Sequence, residues 1–373
     1  MSISANRGEH SELLAFLCIL HEGRVQVADK FGEPRQAWLK VLGIQRPSDP
    51  DRRYLIEDDK VIVTSNAGVE LARASRASVR AIAGALFLQI KEAEGASFIC
   101  PAADEAFLLL SLEGAKAGSG AKADLLIEVA SPVFDGEVLS LGFSVKSELG
   151  GLPTLLNAGA TQFEYRIEGC SADDALAVQE AAPRNKDKDY PGPMRLMPAL
   201  AASNARVVFE SVVDPIFEQN LKMMDTSFPR ILADTLMHAY LGGELALKDA
   251  VRSPALLEEL SKALSLPLPM VERIVKHKIK ELLRQSALGM NPGRQWEGQV
   301  EAHGGWIIVK ESGDIVCFHV LNDDDFREYL LAGTKFDTPS MTRHHAGYVY
   351  KQKGENFAKL RLSLQVRFGK AAD

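Results

Sequence analysis

Three early segments carry apolar residues at helical spacing: Glu12 to His21 (ELLAFLCILH), Leu71 to about Glu92, and a shorter run after Pro101 with Ala106, Phe107, Leu109, Leu110 and Leu112. Between the first two, Val61 to Ser65 (VIVTS) predicts a strand within a mixed polar stretch. The glycine-rich segment Gly114 to Gly120 predicts a loop, and the period then changes to strands. Ala123 to Ala130 (ADLLIEVA) and Val138 to Ser147 (VLSLGFSVKS) read as antiparallel partners joined by a turn over Ser131 to Gly136. Gly150, Gly151 and Pro153 break the chain before TLLNAGA, predicted as a short helix, and QFEYRIE, predicted as a strand. The expected order is helix, two antiparallel strands, helix, strand.

Residues 171 to about 203 show no periodicity and read as a polar surface connection, whereas Val212 to Leu288 is helical in pattern, punctuated by glycines and prolines. Trp306 to Val320 predicts a hairpin turning at Ser312, Gly313 and Asp314. Tyr348 to Tyr350 and Lys359 to Phe368 predict a further pair of strands. The pattern is that of an α/β protein, a mixed sheet flanked by helices with a helical insertion and a C-terminal β region. It divides into an N-terminal α/β region (1–72), a core (73–170), a mainly helical region (171–300) and a β-rich end (301–373).

At 373 residues, 46% hydrophobic and 25% charged, the composition is that of a globular protein. The longest apolar run, Leu13 to Leu20, falls well short of the roughly 20 residues of a membrane span, and MSISANRGEHSE lacks a signal-peptide pattern, so a cytoplasmic location is expected. Four scattered cysteines show no metal or disulfide spacing. A net charge of -7 argues against indiscriminate attraction to nucleic acid. Positive charge is nevertheless concentrated between Arg343 and Lys370, with seven basic residues against the single acid Glu355. A solvated hairpin face and a nucleic-acid surface are both compatible with that count.

The chemistry points to the strand pair. Asp124 opens one apolar strand and Lys146 ends the next, with Ser144 on the face of Lys146 because side chains two apart in a strand point the same way. Phosphodiester hydrolysis uses a divalent ion held by one or two carboxylates and by substrate phosphate. A neighbouring lysine can orient or deprotonate the attacking water and offset charge developing on phosphorus.

This D…xK arrangement resembles the PD-(D/E)xK nuclease motif. KADLLIEV, GFSVKSELGG and TLLNAGATQFEYRI are similar to the central block of the HpaII family of type II restriction endonucleases, and KFDTPSMTRHHAGYVY with KLRLSLQVRF resembles its C-terminal block. The two blocks cover Ser97 to Ile167 and Lys335 to Phe368. The resemblance implies a PD-(D/E)xK core using Mg²⁺, with Asp124 as metal-binding carboxylate and Lys146 as catalytic lysine. Ser144 stands where the general motif has its second acid, a departure that leaves the second carboxylate unassigned, to be supplied from elsewhere in the chain or replaced by backbone carbonyl and water. Glu105 is named first, with Glu148 and Glu164 as alternatives, and Asn157 of the TLLN unit is expected to hold water, Lys146 or a phosphate.

The resemblance further implies double-stranded DNA as substrate, cut at a short palindrome (CCGG), a homodimer on that site, and a companion methyltransferase. Lys116, Ser119 and Lys122 in the loop before Asp124 are expected to grip phosphates. Ser340, Arg343 and His344 are expected at the DNA, where Arg343 either reads a guanine or clamps the backbone, and Lys359 and Arg361 are expected to meet phosphates. The basic segment Met270 to Gln285 loosely resembles a helix-turn-helix, but its spacing favours an amphipathic helix packed on a core. Two other readings stand beside the restriction enzyme: a structure-directed repair nuclease, and a DNA-binding protein in which Ser144 marks a lost active site.

Overall fold

The computed structural model describes residues 4–114, 123–130, 137–151, 153–184, 191–319 and 322–368. The chain forms two compact units, Met1–Pro153 with Val300–Tyr329, and Thr154–Gln299 with Leu330–Asp373.

The first unit is built on a ten-stranded mixed sheet. Its strand order is Pro34–Lys40, Arg24–Ala28, Ile315–His319, Gly305–Val309, Val138–Ser147, Leu125–Ala130, Gly43–Gln45, Arg52–Ile56, Lys60–Ser65 and Glu70–Ser75. Two neighbouring pairs are parallel: Val138–Ser147 with Gly305–Val309, and Ile315–His319 with Arg24–Ala28. The expected catalytic hairpin is present as an antiparallel pair in which Leu125 lies opposite Phe143.

Helix Arg7–Glu22 begins at a capping box in which Asn6 accepts from the Glu9 N–H while the Glu9 carboxylate accepts from the Asn6 N–H. It ends at Gly23, whose φ of 64° suits a residue without Cβ. The apolar residues Leu13, Leu14, Phe16, Leu17 and Leu20 enter one buried cluster with Tyr54, Phe143 and Val145 of the sheet.

The hairpin Gly305–Val309 and Ile315–His319, assigned by pattern to the C-terminal region, lies in this sheet. All five residues of Gly305–Val309 are buried. They cover an edge of Val138–Ser147 that would otherwise present unpaired backbone groups.

The segment Leu71–Glu92, expected as one helix, is a strand, Glu70–Ser75, followed by helix Arg76–Glu92. Ser75 sets the boundary, because its hydroxyl accepts from the Ser78 N–H and starts the helix there.

In the second unit Arg206–Val212, Gln162–Glu168, Ala358–Ser363 and Val349–Lys351 form an antiparallel sheet. Thr154–Leu156, Val366–Phe368 and Thr334–Phe336 form a smaller one. TLLNAGA is therefore a strand and turn and not a helix, with Ala160 at φ 62°. The polar connection also contains more structure than expected. Helix Ala172–Ala181 starts at a Ser171–Asp174 capping box, and Pro193–Ala202 forms a second helix.

Helices Pro215–Met224, Phe228–Gly242, Pro254–Leu264 and Leu268–Leu288 bear out the helical middle region. The last buries Val271, Val275, Ile279 and Leu282, the packed stripe that its spacing predicts. Among the described residues no helix is long and apolar enough to cross a membrane.

Candidate active site

Asp124 precedes its strand by one residue, and its N–H donates to the Phe143 carbonyl at 2.8 Å, which fixes it opposite Ser144. The Asp124 carboxylate is held through one oxygen. Oδ2 accepts from the Val145 N–H at 2.7 Å and from the Ser144 hydroxyl at 3.1 Å. Oδ1 has no hydrogen-bond partner among the described residues and can face a cation. Lys146 donates to Ser144 Oγ at 2.8 Å and to the Val145 carbonyl at 3.2 Å. Ser144, nearly buried at 5% exposure, thus links the two groups as donor to one and acceptor from the other.

The structure adds a carboxylate that sequence spacing did not indicate. Glu12, on helix Arg7–Glu22, is half-buried and its carboxyl is pushed up to about 7. Burial is the largest cause, and the negative charge of Asp124 is the next, while Lys146 and Arg46 pull the other way. Glu12 and Lys146 line one cleft of about 500 Å³, together with Asn6, Arg7, Ser11 and Ser147. Arg7 stiffens this cleft by donating to the carbonyls of Leu149 at 2.8 Å and Ala93 at 2.6 Å.

The three carboxylates named earlier are placed differently. Glu105 is exposed on helix Pro101–Leu109, whose buried side is Ala102, Ala103 and Ala106. Glu148 lies two residues past Lys146 and pairs with Lys310 at 3.5 Å. Glu164 belongs to the second unit, where its carboxylate accepts from Arg361 at 2.7 Å, from Lys359 at 3.3 Å and from Tyr350. These bonds overcome the cost of burial and hold its carboxyl below the usual range.

Asn157 follows strand Thr154–Leu156 in the second unit, is exposed, and does not lie on a helix. Lys359, expected at a phosphate, is 7% exposed, and its ammonium is enclosed by Glu210 at 3.0 Å, Glu164 at 3.3 Å and Glu355 at 3.5 Å, a placement that favours an internal charge role over a phosphate contact. Arg361 is likewise tied to Glu164 and to the Tyr350 hydroxyl. Ser340, Arg343 and His344 fall on one turn of helix, Met341–His344, where Ser340 caps the Arg343 N–H and the Arg343 side chain is exposed. Lys116, Ser119 and Lys122 lie outside the described residues.

The donor set suits a hard cation. Two carboxylates beside a lysine offer oxygen ligands, and Mg²⁺ commonly takes only one or two from protein, with water and substrate phosphate completing its shell. Among the described residues no group of three or more His, Cys, Asp or Glu side chains is assembled for a metal.

The HpaII restriction endonuclease family model matches residues 6–368. The chain belongs to that family. It is 31% identical over 370 residues to the type II restriction enzyme HpaII of Haemophilus parainfluenzae, covering 98% of both chains. No solved structure matches. Membership of the HpaII family makes the chain a restriction endonuclease, a hydrolase acting on DNA, on the mixed α/β architecture described above.

Proposed function

We propose that the chain hydrolyses both strands of double-stranded DNA at a short palindrome, CCGG, with Mg²⁺ held by Asp124 and Glu12 and with Lys146 beside the scissile phosphate. The observation that carries this reading is the joint placement of Asp124, Ser144 and Lys146 on one strand pair, with Glu12 entering from the helix. The relative's name supports the restriction role, and the family resemblance supports the base sequence.

When bound, the metal would polarise a phosphate oxygen and ease deprotonation of water. Asp124 presents Oδ1 while the Val145 N–H and Ser144 hydroxyl fix its other oxygen. Lys146, steadied on Ser144, places a positive head where negative charge grows as water adds to phosphorus and the P–O bond to the leaving oxygen breaks. Glu12, ionised, would be the second carboxylate to hold the cation, the acid that position 144 lacks.

For sequence reading, Arg343 on its exposed helical turn is assigned a guanine contact. A palindrome is most simply served by two symmetric subunits, which makes a homodimer on DNA part of this reading, with a methyltransferase protecting host sites and a cytoplasmic location.

Digestion of plasmid DNA with and without Mg²⁺ tests the whole. Discrete fragments ending at CCGG are expected. A smear or structure-limited cutting would indicate a repair nuclease, and no cutting a DNA-binding protein.

A further inference from the structure

Lys146 has one more neighbour that the reaction scheme leaves unused. Its ammonium nitrogen lies 5.4 Å from the centroid of the Trp306 ring. We propose that Trp306 is a positioning residue, holding the Lys146 head over Ser144; this rests on the nuclease reading of the site.

The placement follows from the sheet. Strand Gly305–Val309 runs parallel to Val138–Ser147 with Trp306 beside Ser144 and Ile308 beside Lys146. Neighbours in register share a face, so the indole lies on the side of the sheet that Ser144 and Lys146 occupy. Trp306 is only 1% exposed. Phe326 packs its edge against the indole at 5.3 Å and is itself backed by Phe318, which touches Tyr329. The ring is therefore a fixed wall.

A lysine head on a four-carbon stem otherwise samples many rotamers. Two of its three N–H groups are directed to Ser144 and Val145, which leaves one for water or phosphate. The negative face of a desolvated indole attracts an ammonium and opposes its swing into solvent, and tryptophan is the strongest of the aromatic side chains in this respect. A buried tryptophan that merely fills the core would owe nothing to Lys146, and this difference is measurable.

Three variants separate the roles: W306F and W306Y keep an aromatic face, and W306L keeps apolar volume without one. With saturating DNA and Mg²⁺, W306L is expected to turn over about tenfold more slowly with KM for DNA within about twofold of the parent, and W306F and W306Y to recover most of that loss. A second measurement needs neither metal nor activity. The thermal midpoints of W306L, K146M and the double variant should be non-additive, the double losing about 2 °C less than the sum of the singles. Equal slowing in W306F and W306L, or additive midpoints, would overturn the proposal. A parent that cuts no DNA would defeat the nuclease reading instead, and the midpoint cycle alone would then decide the role of Trp306.

Discussion

Replacing Glu12 by Gln is expected to make the protein more stable and less active. The Glu12 carboxyl rises from the usual 4.5 to about 7, first through burial and then through the charge of Asp124. In the folded state it therefore keeps its proton to higher pH than in the unfolded chain. Stability from this group is unaffected below about pH 4.5, falls as pH rises towards 7, and stays low above it. At 1.36 kcal/mol per pH unit the full penalty is at most about 3 kcal/mol in metal-free protein.

A glutamine of similar shape carries no charge to desolvate or to repel Asp124. Metal-free E12Q should thus gain up to about 3 kcal/mol over the parent above pH 7 and nothing below about pH 4.5. The same change removes an anionic ligand, so cleavage should fall by at least about 100-fold, partly restored by raised Mg²⁺. Thermal unfolding from pH 4 to 9 in chelator, paired with cleavage assays at several Mg²⁺ concentrations, reads both effects. An E12Q protein that cuts at the parental rate, or whose stability follows the parental pH curve, would refute the assignment of Glu12 to the site.

Asp124→Asn and Lys146→Met should each abolish plasmid cleavage with the circular dichroism spectrum unchanged, whereas Ser144→Ala, which removes a linker and not a charge, should slow it by about 10- to 100-fold. Asp234 is raised from 3.8 to about 6, chiefly by burial and then by Glu259, so it too destabilises the folded state as pH rises through that window. Asp234→Asn should then add at most about 3 kcal/mol at pH 7 in denaturant titration, less whatever the lost Arg230 contact contributes, and should leave cleavage unaltered. Lys359→Met leaves Glu210 and Glu355 without the cation they share while Glu164 keeps Arg361, and a loss of up to about 3 kcal/mol is expected in the same titration. Arg343→Ala should weaken binding to the cognate site by ~1–3 kcal/mol and relax discrimination at one base pair, read by competition with single-base variants.

The strands Val138–Ser147 and Gln162–Glu168 were legible to the residue: the second alternates buried and half-buried positions, the first is rich in apolar residues, and turn-forming residues flank them. The hairpin around Gly313 was equally plain. Glu70–Ser75 was not, since its apolar residues run on in phase with the helix that follows, and only the Ser75 cap separates them. The pairing of Asp124 with Lys146, the proposed catalytic residues, could be read from the two strands together with the family resemblance. Glu12 could not, because it lies on a helix more than a hundred residues earlier, and an acid at the head of an apolar run looks like an ordinary solvent-facing position. The search for the missing acid kept to residues within the motif's own sequence blocks, Glu105, Glu148 and Glu164. The ion pairs of Lys359 were hidden for a related reason: the three glutamates that enclose it come from two other strands and a turn, whose registry no local pattern reveals.

The parallel pairing of Val138–Ser147 with Gly305–Val309 also bears on how the enzyme comes into being. The chain must pass through all of Thr154–Gln299 before the second of these strands exists. A parallel contact spanning so many residues is slow to form and is not available to a nascent chain still short of residue 305. Until then the strand bearing Ser144 and Lys146 has an open flank, and the aromatic wall behind the lysine is missing. A chain that stops short of residue 305 would carry Asp124 and Lys146 yet lack the strand that frames them, so the proposed site can be assembled only after Gly305–Val309 has been made.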